Sequence, residues 1–111
     1  MPKQGDIVGI TLDPRAGSEQ MGRRPALIVT NNTFHVFTKS LAMVCPITNT
    51  EKNIPIQPKL RTELKTTGVI MCDQAKMLDV KMRKAEFIEK IDDDTLNEVV
   101  DIINGFIEIG G

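Results

Sequence analysis

Arg24, followed directly by Pro25, is the residue in this 111-residue chain best suited to chemistry on an anion. A guanidinium is planar, stays charged at any relevant pH and grips phosphate oxygens two at a time. Standing alone, such an arginine reads equally as a surface ion-pair residue. Thr48 offers a hydroxyl that can donate to an oxygen or orient one, although threonine is also an ordinary strand residue. Glu19, in the run Gly17-Ser18-Glu19-Gln20, is a carboxylate able to take a proton, brace a guanidinium or cap its own loop. Ser18 and Gln20 beside it can hydrogen-bond phosphates or bases. Asp73-Gln74 is a second acid–amide pair; Asp73 reads equally as a loop residue satisfying backbone donors, and Gln74 as a brace for the neighbouring loop. Lys52, Lys59, Arg61 and Lys65 punctuate one polar stretch, where they can track phosphates or simply be solvated.

Other chemistries lack their residues. The single histidine, His35, lies between Phe34 and Phe37 in a segment read as a loop, where a surface or interface role is expected. Phe34 and Phe37 are then free to stack on bases or to sit in an interface. Cys45 and Cys72 each fall inside an apolar run, which predicts reduced, buried thiols. A catalytic thiol would want a histidine near it. Two cysteines and one histidine are too few for a closed zinc site, so no metal and no cofactor are expected.

Net charge is −1, but it is unevenly placed. Residues 1–85 carry thirteen Lys/Arg against seven Asp/Glu, net +6, and residues 86–111 carry one against eight, net −7. Such asymmetry allows an anionic ligand on one face. Length fits a single domain over residues 1–111. No apolar run approaches the roughly 20 residues of a membrane span, and the N-terminus lacks a signal-peptide pattern, so the expected location is the cytoplasm.

These side chains need a scaffold. Strands are predicted at 6–12, 25–30, 41–47, 54–56, 69–72 and 85–91, with Asn31-Asn32 as a turn and a polar loop at 59–67. Pro46 should fall at a bulge or strand end, because proline cannot donate to the ladder. Leu96, Val99, Val100, Ile103, Phe106 and Ile107 recur at helical spacing, so residues 92–108 should form an amphipathic helix capped by Asp92 or Asp93. Phe87 and Phe106 are expected in the core. The fold class is α+β, mostly β: a small antiparallel barrel with a C-terminal helix.

Three stretches, in order, resemble the MazF/PemK toxin family. The first runs from Gly5-Asp6-Ile7-Val8 through Asp13-Pro14 and Gly17-Ser18-Glu19-Gln20 to Gly22 and Arg24-Pro25-Ala26-Leu27-Ile28-Val29. The second is Val44-Cys45-Pro46-Ile47-Thr48, and the third runs from Thr67-Gly68 to Asp73-Gln74-Ala75-Lys76. The resemblance implies a barrel like that of the SH3 fold and the CcdB gyrase poison. It implies a homodimer, sequence-specific cleavage of single-stranded RNA, messenger RNA included, and neutralisation by a MazE-like antitoxin in a bacterial cytoplasm.

RNA carries its own nucleophile, the 2′-hydroxyl, so such cleavage needs alignment, proton handling and charge stabilisation rather than a metal. The ends would be a 2′,3′-cyclic phosphate and a 5′-hydroxyl. By resemblance Arg24, Thr48 and Glu19 are the catalytic candidates, and Ser18, Gln20, Asp73, Gln74, Lys52, Phe34 and Phe37 the RNA-binding ones. PemK-type members use His, Arg and Asp at positions matching Ser18, Met71 and Asp73; only the aspartate is kept, which puts that branch's mechanism in doubt here. The alternative reading is a non-catalytic poison that acts by contact, as the CcdB resemblance allows.

Overall fold

The computed structural model describes residues 1–12 and 22–110. Six strands form one antiparallel sheet: β1 (Asp6–Thr11), β2 (Arg23–Ile28), β3 (Leu41–Thr48), β4 (Val69–Ile70), β5 (Lys76–Asp79) and β6 (Glu86–Lys90). The order is β4-β3-β2-β1-β6, with β5 also on β3. Among the described residues two helices complete the fold, α1 (Asn32–Thr38) and α2 (Asp93–Phe106), with a short 3-10 turn at Cys72–Gln74. The chain is α+β and mostly β, a curled antiparallel sheet with one C-terminal helix.

The sheet is apolar on both faces because its central strands are. Ile7, Leu27, Val29, Cys45, Ile47, Ile70 and Cys72 point to one side, where α2 lays Val99, Leu96, Val100 and Ile103 over them. Val8, Ile10, Ala26, Ile28, Ala42, Val44, Leu78 and Val80 form the second core on the other side, closed by the curl of the sheet with Leu12 and Ala85. The split follows the two-residue period of a strand. Cys45 and Cys72, both free, are buried in the α2-side core, as their apolar runs imply.

Several expectations change. Asn31-Asn32 is the start of a helix, not a turn: the Asn31 side chain accepts from the Phe34 N–H at 3.0 Å, and Lys39, at φ +71, ends the helix. A seven-residue helix rich in β-branched and aromatic residues has little propensity signal to read. Residues 54–56 are not a strand; Gln57 N–H closes a turn on Ile54 C=O, and Lys59 bridges to Val69 instead. Two prolines, Pro55 and Pro58, remove the donors a ladder would need. The strand expected at 69–72 ends at Ile70, and β5 was not foreseen because Lys76-Met77-Leu78-Asp79 buries only Leu78. Phe87 and Phe106 are exposed, at 65% and 49%, rather than core.

Pro46 lies inside β3, where no strand end falls, yet the ladder changes there. It is opposite Ala26, the last β2 partner, and on its other edge pairing passes from β5 to β4. Its carbonyl accepts from Met71 N–H at 2.8 Å. The expected helix at 92–108 is α2, capped by Asp92, whose carboxylate accepts from Thr95 N–H at 2.9 Å and Thr95 Oγ1 at 2.7 Å.

His35 is buried on α1 rather than exposed in a loop. Its Nε2 lies 2.7 Å from Thr30 Oγ1, which also accepts from Met43 N–H at 3.1 Å, while Nδ1 has no partner among the described residues. Burial, with the N-terminal positive charge adding to it, holds its pKa below the ordinary value. The folded state therefore prefers the neutral ring. Above about pH 6.5 both states are neutral and His35 is indifferent; below it the unfolded chain takes up the proton first and stability is lost. Urea midpoints at about pH 7.5 and about pH 5.5 should therefore differ more for the wild type than for His35→Gln. Equal shifts in the two proteins would show that His35 contributes nothing to the pH dependence.

Candidate active site

The β2–β3 register pairs Ala26 with Pro46, Leu27 with Cys45 and Ile28 with Val44. Continued by two residues, it sets Arg24 across from Thr48. Arg24 is also opposite Ile10 on β1, a residue of the second core. Cross-strand partners share a face, so Arg24 and Thr48 stand at the rim of that core, on the side of the sheet away from α2. The acidic helix and Arg24 are thus separated by the sheet itself.

The two neighbouring arginines are not equivalent. Arg23 is consumed by structure: it donates to the carbonyls of Gly9, Arg83 and Lys84 and pairs with Glu86 Oε1 at 2.9 Å. Arg24 is exposed and pairs with no acid among the described residues. Thr48 is half-buried at the end of β3, and its Oγ1 accepts from Thr50 N–H at 3.2 Å, which leaves its own proton to donate. Its backbone is pinned from the other side by β4, where Val69 is its partner and Gly68 packs directly on its carbonyl.

A second group assembles beyond β4. Gln57 Nε2 donates to Asp73 Oδ1 at 3.1 Å. That bond is the main reason the Asp73 carboxyl stays below its ordinary pKa; its own backbone N–H, the Gln74 side chain and the Lys52 charge act in the same direction. Lys52, Asp73 and Gln74 are thus brought together, with Gln57 as a member the sequence did not single out. Its signal was slight, a polar residue between two prolines. Lys76 was also missed as a cation of this region. It pairs with Val44 on β5, so it lies on the Arg24 face, and it is exposed.

Two of the other expected cations are occupied elsewhere. Lys59 pairs with Glu51 at 3.5 Å, and Arg61 with Asp92 at 3.2 Å and Asp94 at 3.0 Å. Phe34 and Phe37 are not loop residues beside this group. They ride on α1, which joins the far ends of β2 and β3, about 15 Å of strand from Arg24 and Thr48. Ser18, Glu19 and Gln20 lie outside the described residues.

Residues 3–107 match the family model described as PemK-like, MazF-like toxin of type II toxin-antitoxin system. The chain belongs to the PemK/MazF toxin family. An Escherichia coli protein named endoribonuclease PemK is 37% identical over 102 residues, covering 88% of this chain and 76% of its own length. Among solved structures, MazF from Deinococcus radiodurans superposes with a TM-score of 0.83 at 33% identity, covering 96% of each chain. A MazE–MazF structure from the same organism gives 0.82 at 28% identity, covering 98% of this chain and 97% of that one. As a PemK/MazF member, the chain holds Arg24-Pro25 and Pro46-Ile47-Thr48 at facing ends of adjacent strands. Met71, at the position that the resemblance matches to the PemK-type arginine, has its amide bonded to the Pro46 carbonyl on β3.

Proposed function

We propose that this chain is an endoribonuclease toxin that cleaves single-stranded RNA, including messenger RNA, at a short specific sequence. The reading rests most on one observation: Arg24 and Thr48 lie just past the last β2–β3 pair, on the side of the sheet opposite the acidic helix, where the same register continued by two residues would set them across from each other. Its relatives named as endoribonucleases support the same activity.

The reaction uses the substrate's own nucleophile. The 2′-oxygen attacks the adjacent phosphorus, the bond from phosphorus to the 5′-oxygen breaks, and the products are a 2′,3′-cyclic phosphate and a 5′-hydroxyl. Charge accumulates on the non-bridging oxygens as the phosphorane forms. Arg24 stabilises it through two parallel N–H bonds, which is worth most where water is excluded. Thr48 donates its hydroxyl proton to a phosphate oxygen, and Lys76 adds positive charge along the same face. The 2′-proton goes to a general base, the role assigned here to Glu19, and the leaving 5′-oxygen is protonated in turn. Arginine itself, with a pKa above about 12, is a poor shuttle.

The chain acts as a homodimer in the bacterial cytoplasm, and α1 offers exposed Val36 and Phe37 as apolar contact surface. No helix among the described residues is long and apolar enough to cross a membrane. An antitoxin of MazE type neutralises it, in line with the MazE–MazF neighbour.

The test is digestion of a long single-stranded RNA in excess EDTA with the cut ends mapped and their chemistry determined. Cuts at one short sequence ending in cyclic phosphate are expected. A folded protein that leaves RNA intact would instead point to a poison acting by contact.

A further inference from the structure

Gln57 is an expensive residue where it sits. It is 7% exposed, in a turn between two prolines whose backbone bond, Gln57 N–H to Ile54 C=O, any residue but proline could make. Burying an amide is unfavourable unless its groups are bonded. Here Nε2 is satisfied by Asp73 Oδ1 at 3.1 Å, while Oε1 has no partner among the described residues. A leucine would fill the same space without leaving an orphaned oxygen. The side chain is therefore best understood through what it holds, and it holds one oxygen of an exposed carboxylate.

The segment around that carboxylate is fixed as well. Met71 N–H is bonded to Pro46 C=O, two residues before Thr48 on β3, and Gln74 N–H returns to Met71 C=O across the 3-10 turn. The ladder bond and Thr48 are thus about 7 Å apart along the strand, the scale of one nucleotide step. Lys52 lies near Asp73 as well.

A fixed carboxylate has little to offer the phosphates of an RNA backbone, which are acceptors, share its sign and are repelled. What it can accept are the ribose 2′-hydroxyl and N–H groups on base edges, and of these only the base edges differ between nucleotides, as when aspartate and glutamate accept from the amino group of cytosine. Proton abstraction is the alternative task. A carboxylate held below its ordinary pKa is a weak base at neutral pH and less suited to it.

We propose that Asp73, positioned by Gln57, reads one unpaired base of the cleavage sequence through its amino group, favouring adenine, cytosine or guanine over uracil, while Lys52 holds an adjoining phosphate. Gln57 is a positioning residue; it does not touch RNA. This rests on the RNA-cleaving reading above and adds a determinant of its specificity.

The experiment takes the mapped cleavage sequence and places each of the four bases at each position in short oligoribonucleotides. For the wild type, one position should prefer amino-bearing bases over uracil by about tenfold to a hundredfold in kcat/KM, the usual worth of a good base contact. Asp73→Asn should flatten the preference at that position and raise KM more than it lowers kcat. Gln57→Glu keeps the shape but replaces the N–H donor with a second acid, and should flatten the same position. Should Gln57→Glu fail to fold, the exposed Asp73→Asn decides alone. Unchanged preferences in folded Asp73→Asn overturn the proposal, as does a folded Gln57→Glu that keeps the wild-type pattern. A wild type that cuts no RNA removes the underlying reading instead.

Discussion

Arg24→Ala should cut RNA with kcat lowered by about two to three orders of magnitude, the loss seen when a preorganised donor to a developing oxyanion is deleted. The protein itself should be unharmed. Arg24 is exposed and has no ion-pair partner among the described residues, so its removal uncovers no buried acid. Thermal midpoints of wild type and variant should therefore agree closely while single-turnover rates diverge. Arg24→Lys should recover only part of the rate, because an ammonium is a point charge and cannot hold two phosphate oxygens in a plane. Arg23→Ala should do the reverse. It strips three carbonyls and Glu86 of their donor, so stability falls first. An Arg24→Ala enzyme within tenfold of wild type would show that the charge is stabilised elsewhere.

Gly68→Ala is expected to be as damaging by another route. Gly68 has φ +117, a conformation that L side chains rarely adopt, and a Cβ added there would stand 2.2 Å from the Thr48 carbonyl oxygen. Neither neighbour can yield, because that contact is backbone against backbone. Strain at such a position costs on the order of 1–3 kcal/mol before the clash is counted. Relief requires β4 to lift from β3, which shifts Thr48. Urea unfolding should show the lost stability, and cleavage should fall further than the unfolded fraction accounts for. Gly105→Ala serves as the contrast. It lies on α2, where beyond its chain neighbours and the helix's own backbone no described atom comes within 4 Å of its would-be Cβ, and alanine there should gain up to about 1 kcal/mol of helix propensity. A Gly68→Ala protein as stable and active as wild type would mean that β4 does not hold Thr48 in place.

The sequence was most legible where burial imposes a period. β1, β2, β3, β6 and α2 announce themselves because one side of each must be apolar, and Asp92 marks the helix start by its chemistry. α1 and β5 stayed hidden for the opposite reason. Their stability comes from tertiary partners, His35 on Thr30 and Leu78 in the second core, and short elements of that kind carry no pattern of their own. Arg24 and Thr48 stood out through motif resemblance, but their facing positions depend on a register that no single strand encodes. Gln57 was unreadable for the same cause: nothing local says that residue 57 will meet residue 73. The four cations before β4 looked alike in sequence, and only folding places Lys52 beside Asp73 while Lys59 and Arg61 form ion pairs with Glu51, Asp92 and Asp94.

A sheet with a core on each face shields its central amides from water on both sides. Amide hydrogens at Leu27, Val44 and Cys45 should exchange only when the whole molecule opens. Arg24 and Thr48 lie two residues past the last pair of that protected block. Their amides should exchange through local fraying, at rates that binding of an RNA analogue would slow. The candidate site is thus a margin rather than a centre, with the stiffest part of the molecule behind it.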